Sequence, residues 1–175
     1  MRVHGALSAA AMQRLAEFFA TTDPDVAAFH GIDVGDALAL ATRFDRGWAH
    51  RGGQALLWNA RFAVHEVRDG FLPSPALRVF ERRGFLRVDG VCERAPLTLF
   101  ATEFSDDQNT HIYEVRFART LVRKSNGSTL LFAAKSNARF GFSDLGLTEI
   151  GSSTAIALKC FVRERVCAKV EFFDA

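Results

Sequence analysis

One stretch near the N-terminus restricts the fold of this chain more than any other. The triplet Asp23-Pro24-Asp25 ends the segment before it, because proline disfavours helical geometry in the residue that precedes it. The next four residues, Val26 to Phe29, are a short apolar run suited to a buried strand. At the end of this run stand His30 and Gly31. The stretch therefore predicts a helix that is followed by a central strand. The later helices and strands can be placed in chain order relative to this strand.

Three segments have the spacing of amphipathic helices. The first follows Ser8, whose hydroxyl can accept a hydrogen bond from a free amide in the first turn. The second is predicted from Val34 to Phe44 and the third from about Gln108 to Lys124. Their buried faces are expected to contain Met12, Leu15, Ala16 and Phe19 in the first helix, Leu38, Ala41 and Phe44 in the second, and Ile112, Val115, Phe117, Arg119, Leu121 and Val122 along the third.

Short apolar or alternating runs between these helices predict the remaining strands. Together with the helices they indicate an α/β protein. The predicted strands are Trp48 to Arg51, Gln54 to Asn59, a strand around Phe62 to Val67, Phe80 to Asp89, Pro96 to Phe104, Ser128 to Ala134, about Ala155 to Val162 and about Val166 to Phe173.

The composition is that of one globular domain. The 175 residues, 49% of them hydrophobic, suffice for one sizeable core, so we expect a single domain over 1–175. With 22 basic and 20 acidic residues, the net charge of +2 gives no electrostatic case for a dedicated nucleic-acid binder. No apolar run approaches the roughly 20 residues that cross a bilayer, and Gln13, Arg14 and Glu17 interrupt the N-terminal apolar stretch. We expect no membrane association.

The cysteines indicate the compartment. Cys92, Cys160 and Cys167 are odd in number and lack the spacing of a zinc site. Reduced thiols in the cytoplasm are therefore expected, rather than disulfides or a metal centre.

Three motifs resemble the endonuclease/exonuclease/phosphatase superfamily, which includes deoxyribonucleases and inositol polyphosphate phosphatases. The segment 23–31 is similar to the family's Asp-Pro-Asp-Val-Val-Ala-Leu-Gln-Glu, 53–57 to its Gly-x-Ala-Leu-Leu, and 81–84 to its Glu-Arg-Arg-Gly. The resemblance implies a shortened α/β fold, a two-sheet β-sandwich flanked by helices. It also implies that Val26 to Phe29, Leu97 to Ala101 and Leu130 to Ala133 are adjacent inner strands.

The family's catalytic groups are mostly replaced at the matching positions. Hydrolysis of a phosphate ester in the family uses a histidine oriented by an aspartate, a glutamate that binds magnesium, and asparagines. Gly31 stands where the glutamate is expected, and Arg163-Glu164-Arg165 where the family has Ser-Asp-His. In two other family motifs, Glu103 replaces the histidine of Thr-His-Leu and Lys135 the aspartate of Gly-Asp-Phe-Asn. The degenerate site that the resemblance implies consists of His30, Gly31, Glu103, Lys135, Asn137, Glu164 and Arg165.

These replacements leave enzymatic activity open and favour its absence. Glycine cannot ligate a hard cation through a side chain, and arginine cannot act as a base near neutral pH. The favoured hypothesis is a catalytically inactive pseudoenzyme, without metal or cofactor, that acts as a binding or assembly module for an unknown protein partner.

Two alternatives stay open. One is a metal-dependent phosphodiesterase or nuclease with a rebuilt site drawing on Asp106, Asp107 and His111, although these residues more often indicate a helix N-terminus and a surface histidine. The other is a metal-free binder of phosphate or nucleic acid, whose anion-binding residues would be Lys135, Arg139 and Arg165.

Three further expectations concern charge and assembly. Arg82, Arg83 and Arg87 are either a phosphate-facing patch or, as we favour, solvated charges on a strand with one wet face. Glu103, Lys135, Glu164 and Arg165 are expected to form an internal charge network in place of the metal and phosphate. An uncovered sheet edge or apolar surface predicts self-association as a homodimer.

Overall fold

The computed structural model describes residues 7–73, 83–125, 127–134, 142–153 and 158–163. Within these ranges, no helix is long and apolar enough to cross a membrane. The helices are α1 (Ala9–Thr22), α2 (Val34–Arg43) and α3 (Gln108–Arg123), with a short 3-10 helix at Ser143–Leu145. The strands are β1 (Val26–His30), β2 (Gly47–Arg51), β3 (Gln54–Trp58), β4 (Phe62–Phe71), β5 (Gly84–Cys92), β6 (Ala95–Glu103), β7 (Ser128–Ala134), β8 (Leu147–Ser153) and β9 (Leu158–Arg163).

Helix α1 begins and ends as its sequence predicts. The Ser8 hydroxyl accepts a hydrogen bond from the Ala11 amide at 3.1 Å, which confirms the predicted N-cap. Asp23 ends the helix in a left-handed conformation (φ 38°), and its amide donates to the Phe19 carbonyl. Leu15 and Phe19 are buried, as the spacing predicted.

Helix α2 is present, but its buried face differs from the prediction. Ala37, Leu40 and Ala41 are buried, whereas the side chain of Leu38 is 48% exposed. The predicted Leu38 position was wrong because small alanines let the helix approach the sheet closely, and Leu38 lies about 100° around the helix from Ala37. The positions of the large apolar side chains alone therefore did not predict which face of α2 is buried.

The strands form two sheets. The smaller sheet has the order β1-β3-β2 and the larger one β4-β5-β6-β7-β9-β8. All neighbours are antiparallel except β6 and β7, which are parallel and are joined through α3. The predicted two-sheet α/β sandwich is thus confirmed.

One predicted adjacency was wrong. Leu97 to Ala101 and Leu130 to Ala133 do lie side by side on β6 and β7, but Val26 to Phe29 belongs to the other sheet. Strand β1 meets β6 face to face, since Ala28 lies in one buried cluster with Leu99 and Ala101. An apolar run can be buried at a sheet-to-sheet interface or inside one sheet, and its residues look alike in both cases.

Three buried clusters define four layers. One cluster joins α1 and α2 to the small sheet through residues such as Leu15, Leu40 and Phe29. A second lies between the two sheets. A third packs α3 against the large sheet through Phe100, Val115 and neighbouring residues. The order is therefore helices, small sheet, large sheet and helix α3.

Some strands differ from the sequence prediction. Strand β8 was not predicted. The predicted strand from about Ala155 to Val162 is described from Leu158 onward as β9, and residues 155–157 and the predicted strand from Val166 to Phe173 lie outside the described residues. Strand β5 has no wet face over its first half, because Leu86 and Val88 face the small sheet while Phe85 faces α3.

Two of the three cysteines lie within the described residues. Cys92 and Cys160 are free thiols, and burial raises the pKa of Cys160 to about 12. Cys167 lies outside the described residues.

Candidate functional site

Strand ends from both sheets meet at one edge of the sandwich. Strands β1 and β6 finish there at His30 and Glu103, while the antiparallel strand β3 starts there at Gln54, opposite His30. Arg83 immediately precedes β5 at the same edge. We call these four residues, His30, Gln54, Arg83 and Glu103, the strand-end site.

The centre of the strand-end site is an ion pair between Arg83 and Glu103. The Arg83 Nη1 donates to Glu103 Oε1 at 2.9 Å, and the two side chains are 24% and 16% exposed. Gln54 Nε2 lies 3.5 Å from the other carboxylate oxygen, so the small sheet contacts the same group. The carboxylate at the end of β6 is thus already matched by a guanidinium and an amide.

Gln54 and His30 are opposite each other on β3 and β1, and each is only 1% exposed. The Gln54 Oε1 atom has no hydrogen-bond partner among the described residues. A buried amide oxygen of this kind is costly to leave without a donor. It gives the strand-end site an acceptor at its buried side.

Gly31 turns the chain directly after β1. It has a left-handed conformation (φ 78°), and its amide donates to the Gly53 carbonyl at 2.7 Å. The Ile32 amide contacts the same carbonyl at 3.2 Å. Gly31 therefore contributes backbone hydrogen bonds to the turn and no side-chain ligand. Residues with a Cβ are disfavoured at this left-handed φ.

The start of α3 forms a buried wall beside the site. Glu114, 2% exposed, accepts a hydrogen bond from the Ser105 amide at 2.6 Å. Burial raises the pKa of Glu114, although the Ser105 amide and the charge of Arg83 act in the opposite direction. His111 Nδ1 lies 2.9 Å from the Ser105 carbonyl, and its ring packs on Phe104.

Asp106, Asp107 and His111, the residues proposed for a rebuilt phosphodiesterase site, differ in burial and in their contacts. His111 is buried, so its expected surface location was wrong. Asp107 is the N-cap of α3 and accepts from the Thr110 amide at 3.0 Å, as its place before the helix indicated. Asp106 is exposed. In the described part of the chain, no group of three His, Cys, Asp or Glu residues could hold a metal ion.

Arg87 overturns both interpretations of the arginine patch. It is 5% exposed, pairs with Asp89 at 2.7 Å, and donates to the Leu121 carbonyl at 3.1 Å. It is therefore neither phosphate-facing nor solvated, because α3 covers this face of β5. Arg83 lies at the strand-end site, and Arg82 is outside the described residues.

Several predicted site residues lie where the structure gives no description. They are Lys135, Asn137, Arg139, Glu164 and Arg165. The expected charge network of Glu103 with Lys135, Glu164 and Arg165 thus stays a prediction. The pairing of Arg83 with Glu103 was not predicted, although the place of Arg83 just before β5 was a usable signal.

The described residues of this site do not fit a magnesium ion. Magnesium is held by carboxylate and other hard oxygen ligands. Gly31 offers no side-chain oxygen, and the Glu103 carboxylate is bound to Arg83. A cation at Glu103 would have to displace or repel a guanidinium 2.9 Å from Oε1.

Comparison with known proteins identifies the class of fold. No protein-family model and no curated protein matches the sequence. The structure, however, has the fold of the endonuclease/exonuclease/phosphatase family, which the strand-end architecture and the helical layers already indicated.

Three solved structures illustrate the likeness. An endonuclease/exonuclease/phosphatase family protein from Bacteroides thetaiotaomicron superimposes with a TM-score of 0.72 at 11% identity, over 93% of this chain and 79% of that one. A mannosyl-6-phosphatase from Bacteroides thetaiotaomicron VPI-5482 has a TM-score of 0.72 at 11% identity, over 93% and 83%. The human Nocturnin catalytic domain has a TM-score of 0.66 at 10% identity, over 86% and 73%. Identities this low establish the fold alone.

Proposed function

We propose that this protein is a catalytically inactive domain with the endonuclease/exonuclease/phosphatase fold, and that it acts as a binding or assembly module. The observation that carries the proposal is the ion pair between Arg83 and Glu103 at the strand-end site. It joins a carboxylate and a guanidinium at the sheet edge where the resemblance implies a histidine and a metal ion.

The chemistry of phosphate-ester hydrolysis explains why this pair matters. A general base must take a proton from water, and a metal must offset negative charge on the phosphoryl oxygens. Glu103 stands where the resemblance implies a histidine, and its carboxylate accepts a hydrogen bond from the Arg83 guanidinium at 2.9 Å. The same guanidinium opposes a second cation at this carboxylate.

Gly31 supports the same conclusion from the other sheet. The resemblance implies a magnesium-binding glutamate here, and the backbone instead has a left-handed turn with φ 78°. A side chain at this position would strain the turn by about 1–2 kcal/mol. The turn that ends β1 is therefore built for glycine.

Two measurements on the purified chain test the proposal. Turnover of bis-p-nitrophenyl phosphate and of p-nitrophenyl phosphate is measured with magnesium, with manganese and with chelator. We expect no turnover above the buffer background. Metal-dependent turnover that is lost in the Glu103→Ala variant would contradict the proposal.

Thermal unfolding gives a test that does not require the right substrate. A magnesium site with a Kd of about 0.1 mM would raise the free energy of unfolding by about 2.7 kcal/mol at about 10 mM metal, since ligand would then be 100-fold above Kd. We expect the Tm to be the same with about 10 mM magnesium and with chelator. A Tm that rises by several degrees with the metal, and does not rise in Glu103→Ala, would show a working site.

A further inference from the structure

Strand β4 has an edge that is not covered by another described strand. It lies at one end of the large sheet, where β5 is its neighbour among the described strands. It is ten residues long, and the side chains of residues 65–69 are all exposed. Long exposed edges are templates for pairing with another chain.

The free edge of β4 can be located residue by residue. The Leu72 amide donates to the Arg83 carbonyl at 2.8 Å, so this position faces β5. Backbone groups in an antiparallel ladder alternate between the two sides of a strand. The amide and carbonyl groups of Val67, Asp69 and Phe71 consequently point away from β5, toward the free edge.

The same edge exposes apolar surface. Val67 is 45% exposed and Phe71 is 42% exposed, and both lie on β4. Arg51 of β2 lies over the Phe71 ring at 4.8 Å and contacts Asp69 at 3.1 Å, so polar groups flank this surface. Apolar side chains beside unpaired backbone groups favour association over simple hydration.

The charges along β4 are complementary to a second copy in one antiparallel register. A twofold axis at Glu66, Arg68 or Asp69 would place identical charges directly opposite each other. Within each copy, Arg68 already pairs with Glu66 at 2.6 Å. An axis at Val67 adds to this pair by placing Glu66 of each copy opposite Arg68 of the other. Opposite charges across a strand pair stabilise by about 0.2–1 kcal/mol each, and like charges destabilise. Among axes at residues 66–69, charge therefore favours the one at Val67.

The β-bulge in β4 does not block this register. It lies between Val64 and Glu66, at one end of the exposed segment. Residues from Glu66 to Phe71 pair with β5 without a further register shift. The bulge limits how far pairing extends and leaves the central residues available.

We propose that two copies of this chain associate through antiparallel pairing of their β4 strands, with Val67 at the twofold axis. The two large sheets then continue across the dimer. The proposal deepens the assembly role proposed above and rests on it, but it is tested by association, whereas the absence of catalysis is tested by turnover.

Analytical ultracentrifugation measures the dimer and the role of charge. We expect the wild-type chain to dimerise at micromolar concentration. Glu66→Arg alone and Arg68→Glu alone should each weaken the dimer about tenfold, because each variant places like charges opposite one another. The combined variant Glu66→Arg, Arg68→Glu restores both opposite pairs and should return to within about threefold of wild type.

Disulfide trapping tests the register. Opposed residues in a hydrogen-bonded pair have Cα atoms about 5.5 Å apart, within the range of a disulfide. Val67→Cys should give a covalent dimer under mild oxidation. Val34→Cys is the matched control, since Val34 is exposed on α2 (55%), and it should not exceed the wild-type background.

The outcomes separate clearly. A monomeric wild type at about 100 µM, or a dimer whose affinity is unchanged by the single charge reversals, would overturn the proposal. Equal trapping of the Val34→Cys and Val67→Cys variants would overturn it as well. A monomer without turnover would refute the β4 dimer and leave catalytic inactivity standing.

Discussion

At the scale of single residues, burial changes the pKa of the Glu114 carboxyl. It is nearly inaccessible to solvent and accepts a hydrogen bond from the Ser105 amide. Burial raises its pKa above the ordinary value of 4.5. A carboxyl with a raised pKa stabilises the fold when protonated, below its unfolded-state pKa, and this contribution is lost as the pH rises through the folded-state pKa.

Substitution of Glu114 by glutamine should therefore have a pH-dependent effect. An amide oxygen can still accept from the Ser105 amide, and it carries no charge to bury. The Tm of Glu114→Gln relative to wild type should rise from about pH 4.5 toward pH 8. Thermal unfolding across this range measures the difference, with Glu17→Gln on the exposed surface of α1 as control. A relative Tm that falls with rising pH would contradict the assignment.

Gly31 gives a second prediction at the residue scale. Gly31→Ala should lower the free energy of unfolding by about 1–2 kcal/mol, because a Cβ is strained at φ 78°. Gly35→Ala is the matched control, since Gly35 lies in the first turn of α2 without a positive φ. Urea unfolding of both variants makes the comparison. Equal effects would show that the turn tolerates a side chain.

At the scale of elements, a buried arginine on β5 forms a hydrogen bond to helix α3. Arg87 on β5 pairs with Asp89, which also accepts from the Thr98 hydroxyl at 2.6 Å. Its guanidinium also donates to the Leu121 carbonyl near the end of α3. One side chain thus satisfies both a carboxylate and a helix terminus.

Removal of this arginine should be strongly destabilising. Arg87→Met leaves the Asp89 carboxylate without its cation and should cost about 3–5 kcal/mol. The double variant Arg87→Met, Asp89→Leu removes both charges and should recover part of that loss. Urea unfolding measures both, and a loss below about 1 kcal/mol in the single variant would show that the pair is dispensable.

The helices and strands were predictable to different degrees. Ser8 and Asp107 mark helix starts through contacts within three residues of the chain, so both could be identified locally. The position of β1 in the small sheet could not, because its apolar run suits any buried strand. The buried face of α2 also depended on how closely its alanines approach the sheet.

At the scale of the whole molecule, the two sheets share one buried interface. Ala28 and Leu56 from the small sheet lie in the same cluster as Leu86, Val88 and Leu99 from the large sheet. A single domain over 1–175 remains a prediction, and this interface is the reason to expect that both sheets unfold together.

Two native probes can test cooperative unfolding. Both tryptophans, Trp48 and Trp58, lie in the small sheet, while Cys160 is buried in the large sheet. The urea midpoints of tryptophan fluorescence and of Cys160 thiol labelling should coincide. Leu56→Ala at the interface should lower the free energy of unfolding by about 2–5 kcal/mol, so both midpoints should fall together. Separate midpoints would show that the sheets unfold independently.

The sequence by itself determined where the helices begin, which segments are strands except β8, and that glycine follows β1. Caps, periodicity and turn residues act within a few positions, so their physical causes are visible in a local window. Tertiary structure decided how the strands divide between two sheets and which charges meet. Arg83 and Glu103 are 20 residues apart, and Gln54 and Glu103 are 49 apart, so their contacts exist only after the sheets have packed. The burial of Arg87 and His111 was decided in the same way, because α3 covers them only in the folded chain.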